Sequence, residues 1–166
     1  MPPHAARPQC PYLSWDAPYL SDAFLDRPTD SCGLVVDVGA NIGLAVLPPA
    51  SRGWRVLAFE PNPQNVDRLR LNVALNGWGS ERVSVVTAAA SDRNGSAVLF
   101  TPPSKHAAVS SLNANNVAHF KRTRVDLVGR QQTPLLRLDS YFAGAAASLW
   151  RSVRVLKIDT QVGANE

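Results

Sequence analysis

The run Leu34-Val35-Val36-Asp37-Val38, passing directly into Gly39-Ala40-Asn41-Ile42-Gly43, constrains the fold more than any other stretch of the chain. An apolar run interrupted by one acid reads as a strand buried on both faces, the pattern of a parallel sheet covered by helices. Parallel neighbours must be joined by a crossover. A second run, Trp54–Phe59, ends at Glu60 and Pro61, and the 15 residues from Gly39 to Gly53 suffice for a right-handed crossover between the two. Its helix is expected to be short, since Pro48 and Pro49 cannot continue one.

Downstream, Asn62-Pro63 reads as a helix start, with Asn as N-cap and Pro at the first helical position. Val66, Leu69 and Val73 follow on one helical face with Leu71 and Leu75 beside them, and Asn76-Gly77 supplies the stop. Arg82–Ala90 is expected to be a third strand. The turn signal Arg93-Asn94-Gly95-Ser96 leads into Ala97–Phe100, which predicts a β-hairpin inserted after that strand. Residues 101–118 read as a long loop, Arg124–Val128 and Thr133–Leu138 as two further strands, and Asp139-Ser140 as the cap of a helix through Ala147. Val153–Asp159 is expected to be a last buried strand with an acid at its carboxyl end. The alternation of strands and helices predicts an open α/β sheet.

At 166 residues with 45% hydrophobic content, one domain is expected, at 31–166, preceded by a Pro-rich arm at 1–30 with a helical turn around Tyr19–Phe24. Ile42–Leu47 stops at Pro48 and Phe142–Trp150 is broken by Gly144 and Ser148, so neither reaches the length of a membrane span. The start carries no basic segment ahead of an apolar stretch, which disfavours a secretory signal. A cytoplasmic location is expected, with organelle targeting left open because no acid precedes Asp16. Cys10 and Cys32 lie too far apart for a metal knuckle or a redox pair, and His4, His106 and His119 show no ligand spacing with them, so no metal is expected. Residues 1–60 carry four basic against six acidic groups, and the remainder carries 13 against seven. The cluster Lys121, Arg122 and Arg124 lacks the interleaved aromatics of single-strand binding, which disfavours nucleic acid as a partner.

Open α/β sheets bind ligands outside the carboxyl ends of their strands. Three acids fall at such ends: Asp37, Glu60 and Asp159. In the turn after Asp37, glycines allow close approach of backbone to a ligand, and a helix N-terminus there would offer free amides to a carboxylate. Glu60, 21 residues beyond Gly39, is placed to accept two hydrogen bonds from a ribose diol. A dinucleotide fingerprint needs glycine at the first, third and sixth positions, where this chain has Gly39, Asn41 and Leu44. An acid just before the loop suits instead a zwitterionic amino-acid tail beside a sulfonium, as S-adenosylmethionine presents. Other readings stay open: Asp37 and Asp159 as local capping carboxylates, the glycines as a purely structural turn, and Ser91-Asp92 as turn residues.

Five segments in order, Val36-Asp37-Val38-Gly39-Ala40-Asn41-Ile42-Gly43, Ala58-Phe59-Glu60-Pro61-Asn62-Pro63, Ala90-Ser91-Asp92-Arg93-Asn94-Gly95, Leu138-Asp139 and Leu156-Lys157-Ile158-Asp159-Thr160-Gln161, resemble the motifs of FkbM-type methyltransferases. The resemblance covers about residues 33–161. It implies a Rossmann-like class I methyltransferase sheet and S-adenosylmethionine as cofactor, with O-methylation of a small-molecule or sugar hydroxyl. By the same resemblance Gly39, Ala40, Asn41 and Gly43 hold the methionine portion with Asp37 beneath them, Glu60 meets the ribose, and Ser91 and Asp92 lie near the adenine. Asp159 is the acid nearest the reacting methyl and the expected catalytic residue. After Asp159 the chain departs from the family pattern, with Val162 and Asn165 inserted in Gln161-Val162-Gly163-Ala164-Asn165-Glu166. The resemblance therefore implies a sheet incomplete at the carboxyl terminus, with Val153–Ile158 as an apolar edge open to self-association. The alternative function is a non-catalytic domain that keeps the nucleoside-binding half alone.

Overall fold

The computed structural model describes residues 33–101, 110–112, 129–144 and 147–160. The arm, both cysteines, the three histidines, the Lys121–Arg124 cluster, the strand expected at Arg124–Val128 and the segment after Thr160 lie outside these residues. Among the described residues, the main sheet is parallel and has the strand order β3-β2-β1-β7. It is built from β1 (Leu34–Val38), β2 (Arg55–Phe59), β3 (Val83–Val86) and β7 (Val153–Ile158). β1 lies between β2 and β7, and all five of its residues are buried.

Between β1 and β2, the crossover helix α1 spans Leu47–Ser51. The prolines do not end it as expected but form its first turn, where the missing N–H groups have no intrahelical partner to lose. Helix α2 (Pro63–Leu75) begins as predicted: the Asn62 side chain accepts from the Gln64 amide at 3.0 Å, and Gly77 beyond Asn76 takes φ +70°. Val66, Leu69 and Val73 are buried, whereas Leu71 and Leu75 are exposed. Leu71 is two residues from both Leu69 and Val73, about 200° around the helix from each, so it cannot share their face. α1 and α2 cover one side of the sheet, where Val35, Val46, Val56, Leu69 and Val73 form one core cluster. On the other side Val36, Val38, Leu57 and Phe59 pack with Phe142 of helix α3 (Leu138–Ala143).

The expected third strand divides in two. The Ala88 amide donates to the Val86 carbonyl at 3.0 Å, a tight reversal that ends β3, and β4 (Ala89–Ala90) belongs to a second sheet. That sheet has the order β4-β6-β5, with β5 at Gly95–Thr101 and β6 at Gly129–Leu136. The predicted hairpin partner is therefore corrected: β5 pairs antiparallel with β6, and β6 separates it from β4. The reason lies at the 93–96 turn, which docks on the end of β6 rather than folding back. The Ser91 amide donates to the Leu136 carbonyl at 3.0 Å, and the Arg137 amide donates to Asn94 Oδ1 at 2.8 Å.

The helix expected from Asp139 to Ala147 is shorter. α3 starts one residue earlier with Arg137 as N-cap and has no side-chain cap, because Asp139 pairs with Arg137 at 3.2 Å instead. Gly144 ends it, and α4 (Ala147–Trp150) leads into β7. β7 is not the buried strand expected from its composition. It is the sheet's edge among the described residues, and Leu156 and Ile158 are exposed. No helix of the described residues is long and apolar enough to cross a membrane.

Candidate functional site

Register decides which groups meet. β1 feeds β2 and β3 on one side, while β7 returns on the other, so the order of the sheet reverses between β1 and β7. Such a switch point opens a crevice at the carboxyl ends of the strands. Asp37 is in register with Ala58 on one neighbour and Lys157 on the other. A register shift in β7 between the partners of Leu34 and Val35 puts Val155, and two residues later Lys157, on the Asp37 side of the sheet.

Asp37 is fully buried, and Lys157 Nζ stands 2.9 Å from its Oδ1. Beyond that ion pair, neither Asp37 oxygen has a hydrogen-bond donor among the described residues. Burial pushes the Asp37 carboxyl above its ordinary value, Lys157 opposes the rise, and the Asp159 charge adds to it. The Lys157 ammonium also donates to the Gly39 carbonyl at 3.2 Å and lies 3.8 Å from Asp159 Oδ2. Lys157 was not among the expected site residues. Its signal in the sequence is a cation, one of two with Arg154, inside the otherwise apolar strand Val153–Ile158.

The turn after β1 is more tightly built than its sequence implies. The amides of Gly39 and Ala40 both donate to the Phe59 carbonyl, at 2.9 and 3.0 Å, and the Asn41 amide donates to Glu60 Oε2 at 2.9 Å. These three amides fasten the turn to β2 and are not free for a ligand carboxylate. Helix α1 also begins only at Leu47, so no helix N-terminus directly follows the glycines. The amides of Ile42 and Leu44 meet no acceptor among the described residues. Gly39 has φ +84°, and a Cβ there would run into the Asp159 carbonyl. Gly43 has φ +102°, and a Cβ there would lie 2.5 Å from Leu69 Cδ1. Packing against backbone requires glycine at 39, the left-handed backbone favours it at 43, and Asn41 also adopts positive φ, at 52°.

Glu60 is buried and accepts three hydrogen bonds: Asn41 N on Oε2, and Asn62 N and Asn65 Nδ2 on Oε1, at 3.0 and 3.2 Å. Burial raises its carboxyl, these three donors oppose the rise, and the Asp37 charge reinforces it. Asn65 was likewise missed; it is a polar residue on the buried face of the first turn of α2. Ser91 and Asp92 follow β4 in the second sheet, where Ser91 Oγ donates to Asp92 Oδ1 at 3.1 Å and Asp92 lies 3.9 Å from Arg93 at the surface. These are turn contacts. Asp159 is different: its amide donates to the Val38 carbonyl at 2.9 Å, fixing its backbone beside Gly39, while its side chain is 73% exposed.

The turn residues Gly39, Ala40, Asn41 and Gly43 are thus fastened to one another and to Glu60, and Lys157 links them to Asp37 and Asp159. Ser91 and Asp92 have no contact with that group among the described residues. No curated protein matches the sequence. The methyltransferase FkbM domain, however, matches residues 37–162, a span that runs from the buried acid of β1 through the turn and Glu60 to the open acid beyond β7. The chain therefore belongs to the FkbM methyltransferase family.

Proposed function

We propose that the chain binds S-adenosylmethionine across the carboxyl ends of β1, β2 and β7 and that its methyl group passes to the hydroxyl of a small molecule or sugar. The observation that carries this reading is Asp159, an open carboxylate at the switch point with its backbone locked to β1. The residues fit such a ligand, though not as the sequence alone distributes them. An ammonium and a sulfonium suit a crevice where three carboxylates, Asp37, Glu60 and Asp159, gather and Lys157 pairs with Asp37 and Asp159. The Ile42 and Leu44 amides are available for the tail carboxylate. Glu60 Oε2, which accepts one hydrogen bond, keeps acceptor capacity for one ribose hydroxyl, while a second would compete with Asn62 N and Asn65 Nδ2 for Oε1.

When bound, that cofactor supplies an electrophilic methyl carbon on sulfur. The chain's own contribution is positioning, since aligning two reactants removes most of the entropic cost of their meeting. Asp159 either holds the ligand ammonium or accepts a hydrogen bond from the acceptor hydroxyl, drawing its proton away as the oxygen attacks. The second reading, a domain that holds the nucleoside without transferring the methyl, is favoured by one observation: apart from Asp159, the residues brought together at the strand ends are those expected to hold the cofactor.

Isothermal titration of the whole chain with S-adenosylhomocysteine and with NAD tests the ligand. S-adenosylhomocysteine is expected to bind more tightly, and tighter NAD binding would overturn the reading. Glu60→Ala is expected to cost about 1.5–3 kcal/mol of that binding, the scale of a hydrogen bond to a charged group. Binding without transfer to any of a panel of hydroxylated acceptors would select the non-catalytic reading.

A further inference from the structure

We propose that Lys157 is a positioning residue that fixes the orientation of the Gly39–Ala40 peptide and leaves Asp159, rather than Asp37, as the carboxylate open to a ligand cation. The argument begins with that one peptide plane. Its N–H end, on Ala40, donates to the Phe59 carbonyl at 3.0 Å, and its carbonyl end, on Gly39, accepts from Lys157 Nζ at 3.2 Å. The plane is therefore held from both neighbouring strands, by β2 through a backbone acceptor and by β7 through a side-chain cation. Gly39 on one side of it is at φ +84° and Asn41 beyond it at φ 52°. Glycine adopts such backbone freely, whereas at Asn41 it persists where the surroundings hold it.

The same ammonium answers the charge of Asp37. Lys157 Nζ is 2.9 Å from the fully buried Asp37 Oδ1 but 3.8 Å from Asp159 Oδ2, and the Asp159 side chain is largely in solvent. A ligand ammonium approaching the turn finds Asp37 already paired and out of reach, and Asp159 open. Lys157 is mostly buried, with 19% of its side chain exposed, and both interactions occur at short range in a partly desolvated place. Removing its charge would leave a buried carboxylate unpaired, which is itself destabilising. Any test must separate that effect from control of the turn.

The test uses the full chain as wild type, Lys157→Met, Asp37→Asn and the double variant, with amide hydrogen exchange at Ala40 and Asn41 in the ligand-free protein. Lys157→Met is expected to lower the melting temperature and to speed exchange at Ala40 at least tenfold. The double variant, with no buried charge left to pair, is expected to regain most of the melting temperature while keeping fast exchange at Ala40. Asp37→Asn alone is expected to exchange at the wild-type rate. Wild-type exchange in the double variant would show that Lys157 only neutralises Asp37, and would overturn the proposal. The binding arm rests on the function proposed above: S-adenosylhomocysteine is expected to bind the double variant at least tenfold more weakly than wild type, and equal affinity would overturn the proposal. If the wild type does not bind that probe, the functional reading fails and the exchange result alone decides the role of Lys157.

Discussion

Gly39 illustrates how the structure adds a reason for a glycine that the sequence does not show. The sequence suggests a glycine that leaves room for a ligand, whereas the structure needs it because its backbone is left-handed and the Asp159 carbonyl occupies the place of a Cβ. Gly77 has a similar φ, +70°, but nothing within 4 Å of a built Cβ. Gly77→Ala is therefore expected to cost only the left-handed backbone penalty of about 1–2 kcal/mol. Gly39→Ala should cost clearly more, and equal urea midpoints for the two variants would show that the Asp159 segment moves aside freely. The buried acids give a second expectation at this scale. Burial raises the carboxyls of Asp37 and Glu60 in the folded chain, so between the ordinary carboxylate value and the raised value the native state holds more protons than the unfolded state. Their contribution to stability is complete below the ordinary value and is lost as pH rises through the raised one. Acidification from about pH 7 to about pH 5 is thus expected to favour the fold through these two groups, and Asp37→Asn should gain less from it than wild type. Urea unfolding at both pH values checks this, and identical gains for the two proteins would remove Asp37 as a source.

At the level of elements, α2 shows which local signals suffice. Asn62, Pro63 and Gly77 mark its ends in the sequence, and the spacing of Val66, Leu69 and Val73 marks its buried face. Leu69→Ala is expected to cost about 2–5 kcal/mol, as for other buried leucines. Leu75→Ala, on the exposed face, should change stability by less than about 0.5 kcal/mol in the same denaturation assay. Elements whose form depends on distant partners were less legible. The split of Arg82–Ala90 into β3 and β4, and the pairing of β5 with β6, are decided by which sheet each segment can join, and no local propensity encodes that choice. The candidate site follows the same division. Asp37, Glu60 and Asp159 were legible because an acid inside or just after an apolar run stands out near a strand's carboxyl end. Lys157 was not, because its meeting with the Gly39 carbonyl joins residues 118 apart and depends on the β1–β7 register.

For the whole molecule, the decisive feature is the position of β7. In the order β3-β2-β1-β7 it pairs, among the described residues, with β1 alone, and it carries Leu156 and Ile158, which are 45% and 61% exposed. An edge strand with apolar side chains offers unpaired backbone groups and apolar surface together, the combination that favours strand-to-strand association. Val153–Ile158 also supports the site, since it presents Lys157 on one side while Leu156 and Ile158 face the other. The two roles are therefore separable by substitution. Leu156→Lys with Ile158→Lys removes apolar surface from the edge and adds charge without touching Lys157, Asp37 or the Gly39 carbonyl. Self-association of the full chain through β7 would make the wild type elute earlier from a size-exclusion column as its concentration rises, and the double variant is expected to elute as a monomer throughout. Its exchange at Ala40 should stay at the wild-type rate, because the peptide lock lies on the opposite side of the strand. A wild type that elutes as a monomer at every concentration would show that this edge does not associate, and a double variant with fast exchange at Ala40 would show that edge and site are one structural unit.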